Sequence, residues 1–199
     1  MDSTAVHEWS IGERETVLRT APGWTVERSV RTRAGHHTHH DFYRMIDADF
    51  VHIIALTGSA DDPGSELVLV REFHHGVERA MLTLPGGGVD DGESFEDAAH
   101  RELLEETGCT ADAWTRLGGF WPSPKRQSNY GEVFLATGAR AVQELTLGET
   151  EDIAVVRAPV RSIGELIASG ELAGGFSMAC LLLWWMHRDG TTARDGATT

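Results

Sequence analysis

Residues 50–57, FVHIIALT, form an almost unbroken apolar run, the pattern of a strand covered on both faces. Other apolar stretches are arranged around it. Residues 16–33 alternate loosely through Val17, Leu18, Trp24, Val26 and Val30, and the turn signal Ala21-Pro22-Gly23 divides them into two strands. A further strand from Phe42 meets the apolar run near Asp47-Ala48-Asp49. Beyond the turn GSADDPGS, the pattern predicts strands over 66–73 and 81–84, then over 113–120, 132–137 and 153–160. Residues 1–13 and 188–199 are polar and predicted to be loose. The sum is an α/β fold on a mixed sheet, with the first forty or so residues forming an extra β lobe.

Three segments change period from two to about 3.6. Ser94 has Asp97 three residues on, in the manner of a capping box, and Gly108 is a favoured helix stop. The helix between them turns Phe95, Ala98, Ala99 and Leu103 inward. A short helix over 162–169 and an apolar one over 176–187 follow. In the last of these, Trp184 and Trp185 read as core or dimer contacts.

The chain of 199 residues is long enough for one generous domain with a substantial core. A net charge of -14 disfavours a nucleic-acid backbone or an anionic membrane as partner. No apolar run approaches the roughly 20 residues of a spanning helix, and the first residues lack a signal-peptide core. Cys109 and Cys180 lie far apart in apolar settings, which suits reduced thiols and a cytoplasmic protein.

The charged residues concentrate where chemistry is expected. Behind the turn Gly86-Gly87-Gly88, the helix carries Glu102, Glu105 and Glu106 along one edge, at i, i+3 and i+4. Like charges so spaced destabilise an isolated helix by a few tenths of a kcal/mol per pair. A hard cation such as Mg²⁺ or Mn²⁺ reverses that penalty. Glu93 and Arg101 flank the cluster, and an ion pair between them would tie turn to helix. The four histidines His36, His37, His39 and His40 lack a completing carboxylate or thiolate pattern and read as a solvated hairpin end.

The order Gly87, five residues, Glu93, seven residues, Arg101-Glu102-Leu103, one residue, Glu105-Glu106, one residue, Gly108 resembles the Nudix box at every fixed position. Only Cys109, at the final bulky apolar position, is unusual. A chance match is on the order of one in 10⁹ per starting position at ordinary residue usage. The resemblance implies an α/β/α sandwich with a mixed β-sheet and a hydrolase of nucleoside diphosphates linked to another moiety. It implies metal ligation by Glu102, Glu105, Glu106 and the Gly86 carbonyl, with Glu93 and Arg101 supporting them. VREFHHGVERAMLTLPGGG and GGFWPSPKRQSNYGEVFLA further resemble the ADP-ribose and nucleotide-sugar pyrophosphatase subgroup. That likeness implies substrate contacts at Arg71, Pro124, Arg126 and Asn129. It divides the chain into a β lobe (1–45), a hydrolase domain (46–188) and a disordered tail (189–199), and it implies a homodimer in which the lobe is exchanged.

Some positions depart from the subgroup. Thr83 stands for the usual glutamate before Leu-Pro, and His74 for an arginine. Asn129 occupies the position of a glutamate that is a candidate base, and an amide cannot take a proton from water. Glu105 is the favoured base, with Glu132, Glu151 or metal activation alone as alternatives. At the level of function, a catalytically weak ligand-binding module and a nucleoside triphosphate pyrophosphatase are the alternatives.

Overall fold

The structure is a computed structural model and describes residues 8–20, 24–35, 38–59, 61–146 and 152–191. The expected turn at 21–23, His36, His37, Glu151 and most of the tail lie outside the described residues. The chain divides into two compact units, one of residues 1–48 with 121–129, the other of 49–120 with 130–199.

In the larger unit, β4 (Phe50–Leu56) is the apolar run, and all of it but His52 is buried. It pairs in parallel with β9 (Gly131–Thr137) and, through Ala55 and Leu56, antiparallel with β5 (Glu66–His74). Beyond these, β8 (Ala113–Phe120) joins β9, while β6 (Arg79–Thr83) and β11 (Ile153–Pro159) both join β5. One mixed sheet of six strands results.

Alternate residues of the central strands enter opposite layers because side chains alternate along a strand. Val51, Ile53 and Ala55, with Val68, Phe134 and Ala136, pack against Ala98, Ala99 and Leu103 of α1 (Phe95–Thr107). Ile54 and Leu56, with Leu67, Leu69, Val133 and Leu135, pack against Cys180, Leu181 and Trp184 of α3 (Gly175–Arg188). The short α2 (Ile163–Ala168) leans on this second layer through Ile163, Leu166 and Ile167. The expected α/β/α sandwich on a mixed sheet is therefore the observed fold. Of the tandem tryptophans, Trp184 is core and Trp185 faces outward.

Helix α1 begins and ends as its residues dictate. The Ser94 hydroxyl accepts the Asp97 amide at 3.1 Å and donates to the Asp97 carboxylate at 2.6 Å. Gly108 takes φ 65° and donates its amide to the Leu104 carbonyl. A side chain there would also strike the Gln143 carbonyl, 2.2 Å from the Cβ position. Two short strands with no signal in the sequence, β7 (Cys109–Thr110) and β10 (Arg140–Ala141), pair just beyond this stop.

In the smaller unit, β1 (Trp9–Arg19), β2 (Thr25–Arg33) and β3 (His39–Ile46) form an antiparallel sheet. Residues 9–13, expected to be loose, belong to β1 because Trp9, Ser10 and Ile11 pair with Arg33, Thr32 and Arg31. Such long-range pairing leaves little mark on a polar stretch. Among the described residues, no helix is long and apolar enough to cross a membrane.

Leu103 is fully buried between α1 and the sheet. Leu103→Ala is expected to cost about 2–5 kcal/mol of stability in urea denaturation, with an unchanged m-value.

Candidate active site

The glycine turn hangs on the edge of β4. The amides of Val51 and Ile53 donate to the carbonyls of Gly87 and Pro85, both at 2.9 Å, and the Val89 amide donates to the Asp49 carbonyl at 2.8 Å. The pairing leaves no room for side chains. A Cβ on Gly86 would lie 2.1 Å from the Val51 carbonyl oxygen, and one on Gly87 would lie 2.5 Å from a Glu102 carboxylate oxygen.

Helix α1 brings its acidic edge to this turn. The Glu106 carboxylate accepts the Gly86 amide at 2.8 Å, and both Glu102 and Glu106 are buried. Arg101 gathers the remaining groups. Its Nε and Nη2 grip both oxygens of Glu93 at 2.9 Å, and Nη2 also donates to the Gly88 carbonyl at 2.8 Å. Its Nη1 donates to Glu102 at 2.7 Å and to Glu105 at 3.2 Å. The expected pair between Arg101 and Glu93 is thus bidentate, the strong form of such a contact. Glu93 also accepts the Asp90 amide at 3.0 Å.

These contacts set the charge states. Hydrogen bonding from Arg101, then from the Asp90 amide, holds the Glu93 carboxyl down at about 2. Hydrogen bonds from Glu93 chiefly, and from Glu102 and Glu105, raise the Arg101 guanidinium further above its ordinary value, against the opposing effect of burial. Glu105 is the most open of the acids, with 42% of its side chain exposed.

The donor set suits a hard cation in kind, since carboxylates and a backbone carbonyl share one rim. Its carboxylates are engaged otherwise here, Glu102 and Glu105 by Arg101 and Glu106 by Gly86. Among the described residues, no three His, Cys, Asp or Glu side chains converge as a ready cation cage.

The other expected residues are placed as follows. Arg71 donates to Glu171 at 2.6 Å, in the loop between α2 and α3. Glu132 is buried and gripped by Arg116 at 2.6 and 2.7 Å. Thr83 lies within 3.1 Å of the buried Ser177 hydroxyl. The His74 ring lies 3.4 Å from the Glu72 carboxylate. In the smaller unit, Asn129 is buried and donates to the Ala48 carbonyl at 3.2 Å, while its Oδ1 has no partner among the described residues. Pro124 and Arg126 line a cavity of that unit. His39 meets the Thr32 hydroxyl at 2.7 Å, and His40 lies edge-on to Trp9.

His52 is the one residue of β4 that is only partly buried. Its ring meets the stacked rings of Phe50 and Phe176 edge-on, and Nδ1 is 2.7 Å from where a Gly86 Cβ would sit. Burial pushes its pKa down to about 4, although the nearby carbonyls of Pro85 and Leu84 favour the protonated ring. Among the described residues, neither ring nitrogen makes a well-formed hydrogen bond. The one ionisable residue in the run FVHIIALT was the available signal.

The NUDIX domain model matches residues 51–174, and the chain belongs to the Nudix family. The chain is 32% identical to the ADP-ribose pyrophosphatase of Bacillus subtilis (strain 168) over 108 residues, 54% of this chain and 58% of that protein. It is 29% identical to the ADP-ribose pyrophosphatase of Mycobacterium tuberculosis (strain ATCC 25618 / H37Rv) over 133 residues, 66% of this chain and 64% of the relative. These matches therefore span less than two thirds of either relative. A solved structure described as an ADP compounds hydrolase superimposes with a TM-score of 0.78 at 26% identity, covering 94% of this chain and 99% of the other.

Two measurements check this account. Gly86→Ala is expected to lower the melting temperature, because the Val51 backbone cannot yield to the added methyl group. The Glu93 contribution follows its lowered pKa, so it is fully present above about pH 4.5 and is lost as pH falls toward 2. Wild type should therefore melt above Glu93→Gln at pH 7, with the gap closing progressively below pH 4.5.

Proposed function

We propose that the protein is a divalent-metal-dependent hydrolase of nucleoside diphosphate derivatives, ADP-ribose or a nucleotide sugar, releasing a nucleoside monophosphate and a phosphorylated moiety. The observation that carries this reading is the rim of Glu102, Glu105 and Glu106 held against the glycine turn by Arg101 and the Gly86 amide. The named relatives add support for an ADP-ribose-type substrate.

Glu102, Glu105, Glu106 and the Gly86 carbonyl would hold Mg²⁺ or Mn²⁺. Bound there, the cation would offset diphosphate charge and acidify a water. Arg101 and Glu93 hold the rim in register with the turn, so that the carboxylates need turn only about their own side-chain bonds. Glu105 is the base in this reading, because it is the most water-accessible of the four box glutamates. Glu132 is less suited, its carboxylate being gripped at both oxygens by Arg116. Asn129 serves as a substrate contact, not a base, since an amide nitrogen cannot accept the proton. Arg71 meets a substrate phosphate by exchanging its contact with Glu171. Exposed apolar side chains on β1, among them Ile11 and Leu18, suit a homodimer.

The test is a substrate panel with Mg²⁺, comprising ADP-ribose, nucleotide sugars, dinucleotides and nucleoside triphosphates. AMP and ribose 5-phosphate should form from ADP-ribose, and EDTA should stop the reaction. Glu106→Gln should lower kcat by on the order of 10²–10³-fold, the loss of several kcal/mol of charge stabilisation. Tight binding of one compound without turnover of any would favour the catalytically weak module.

A further inference from the structure

The ring of His52 comes up beneath the glycine turn from the face of β4 that α1 leaves free. Side chains alternate along a strand, so His52 shares its face with Ile54 and Leu56, which enter the α3 layer. Phe176 of α3 meets the ring edge-on with centroids 5.8 Å apart, and Phe50 does so at 5.6 Å. Phe120 completes the group, 5.9 Å from Phe50 and 6.0 Å from Phe176. Gly86 is therefore approached from two sides. Glu106 accepts its amide from α1, and on the other side Nδ1 of His52 lies 2.7 Å from where its Cβ would be.

The main chain of the turn shows what such an approach can serve. The carbonyls of Pro85 and Gly87 accept the amides of Ile53 and Val51, and the Gly88 carbonyl accepts Arg101. The Gly86 carbonyl, in the middle of these, has no partner among the described residues. It is the acceptor of the turn left open for a cation. The Leu84 and Pro85 carbonyls, just ahead of it in the chain, lie near the His52 ring. A histidine that merely fills core space is the plain alternative. Such a ring ordinarily keeps a hydrogen bond, because an unpaired donor shielded from water costs stability that an apolar side chain would not. Both nitrogens of His52 are shielded from solvent, and among the described residues neither is well bonded. Beside Phe50, Phe120 and Phe176, packing alone would favour leucine or phenylalanine.

We propose that His52 is a positioning residue of the cation site, its ring N–H holding the Leu84–Pro85 main chain so that the Gly86 carbonyl stays available as a ligand. This rests on the hydrolase reading, which makes that carbonyl a ligand. A neutral imidazole carries a single N–H, and here it has only loose contacts to offer it to. Cation binding at Gly86 closes the contact to a full hydrogen bond. The stability lost to an unpaired ring in the cation-free protein is thus regained when the site fills.

The test titrates Mn²⁺ alone into the full-length chain, without substrate, and reads the free ion by electron paramagnetic resonance. His52→Leu should weaken Mn²⁺ binding roughly 10–100-fold, as loss of a contact supporting a metal ligand does. Its melting temperature without metal should match or exceed that of wild type, because an unpaired polar group is gone. His52→Asn returns a donor near the place of Nδ1 and should recover most of the lost affinity. A spectroscopic reading needs neither variant and decides the matter even where His52→Leu does not fold. Mg²⁺ should shift the imidazole nitrogen resonances of His52 in wild type, and at the same concentration should leave them in place in Glu106→Gln. Mn²⁺ affinity unchanged in His52→Leu, or lost equally in His52→Asn, overturns the proposal, as do His52 resonances that ignore Mg²⁺ in wild type. If the substrate panel is turned over while His52→Leu binds Mn²⁺ like wild type, this proposal falls alone. If Mn²⁺ binding follows the expected pattern and nothing in the panel is hydrolysed, the hydrolase reading falls and the cation site stands. A wild type that binds no Mn²⁺ overturns both.

Discussion

The guanidinium of Arg101 is the contact on which the acidic rim depends. Glu93, Glu102 and Glu105 all reach it, and the same group binds the Gly88 carbonyl, so one side chain joins loop, turn and helix. Without it, three carboxylates would crowd one edge of α1 and repel one another. With it, their charge is balanced and their geometry is held, yet none is sealed away from a stronger cation. The pair with Glu93 is bidentate while the contact with Glu105 is single and longer, which grades how readily each acid is released.

The rim has its place because of the layer beneath it. Ala98, Ala99 and Leu103 seat α1 on the central strands, and small residues at two of those positions bring the helix axis near the sheet. The turn in turn uses the free edge that β4 exposes where β5 departs to pair with β6. A change of strand partner thus opens a gap that the glycines fill, and ligand sites in open α/β sheets favour such places.

Much of this was legible from residue order. Strand β8 and the two ends of α1 lie where the pattern predicted, because alternation, a serine cap and a glycine stop are local signals. The box spacing likewise foretold the pair between Arg101 and Glu93. What escaped were features made by residues distant in the chain. Trp9–Ile11 become strand only through Arg31–Arg33, and Arg71 meets an acid a hundred residues away. The edge-on contact of Trp9 with Phe42 was hidden for the same reason, since the two become neighbours only once β1, β2 and β3 are in register.

The parallel pairing of β4 with β9 has a consequence for synthesis of the chain. Phe50 pairs with Gly131, so the ribosome must add about eighty more residues before the far edge of β4 finds its partner. Helix α1, with its caps built in, can form as it emerges, but the strand that supports its turn stays half covered until then. An arrest between the box and β9 would expose a long apolar edge, the kind of surface that chaperones retain. Slow or interrupted translation through residues 110–130 is therefore the stage at which the nascent chain is most exposed to aggregation.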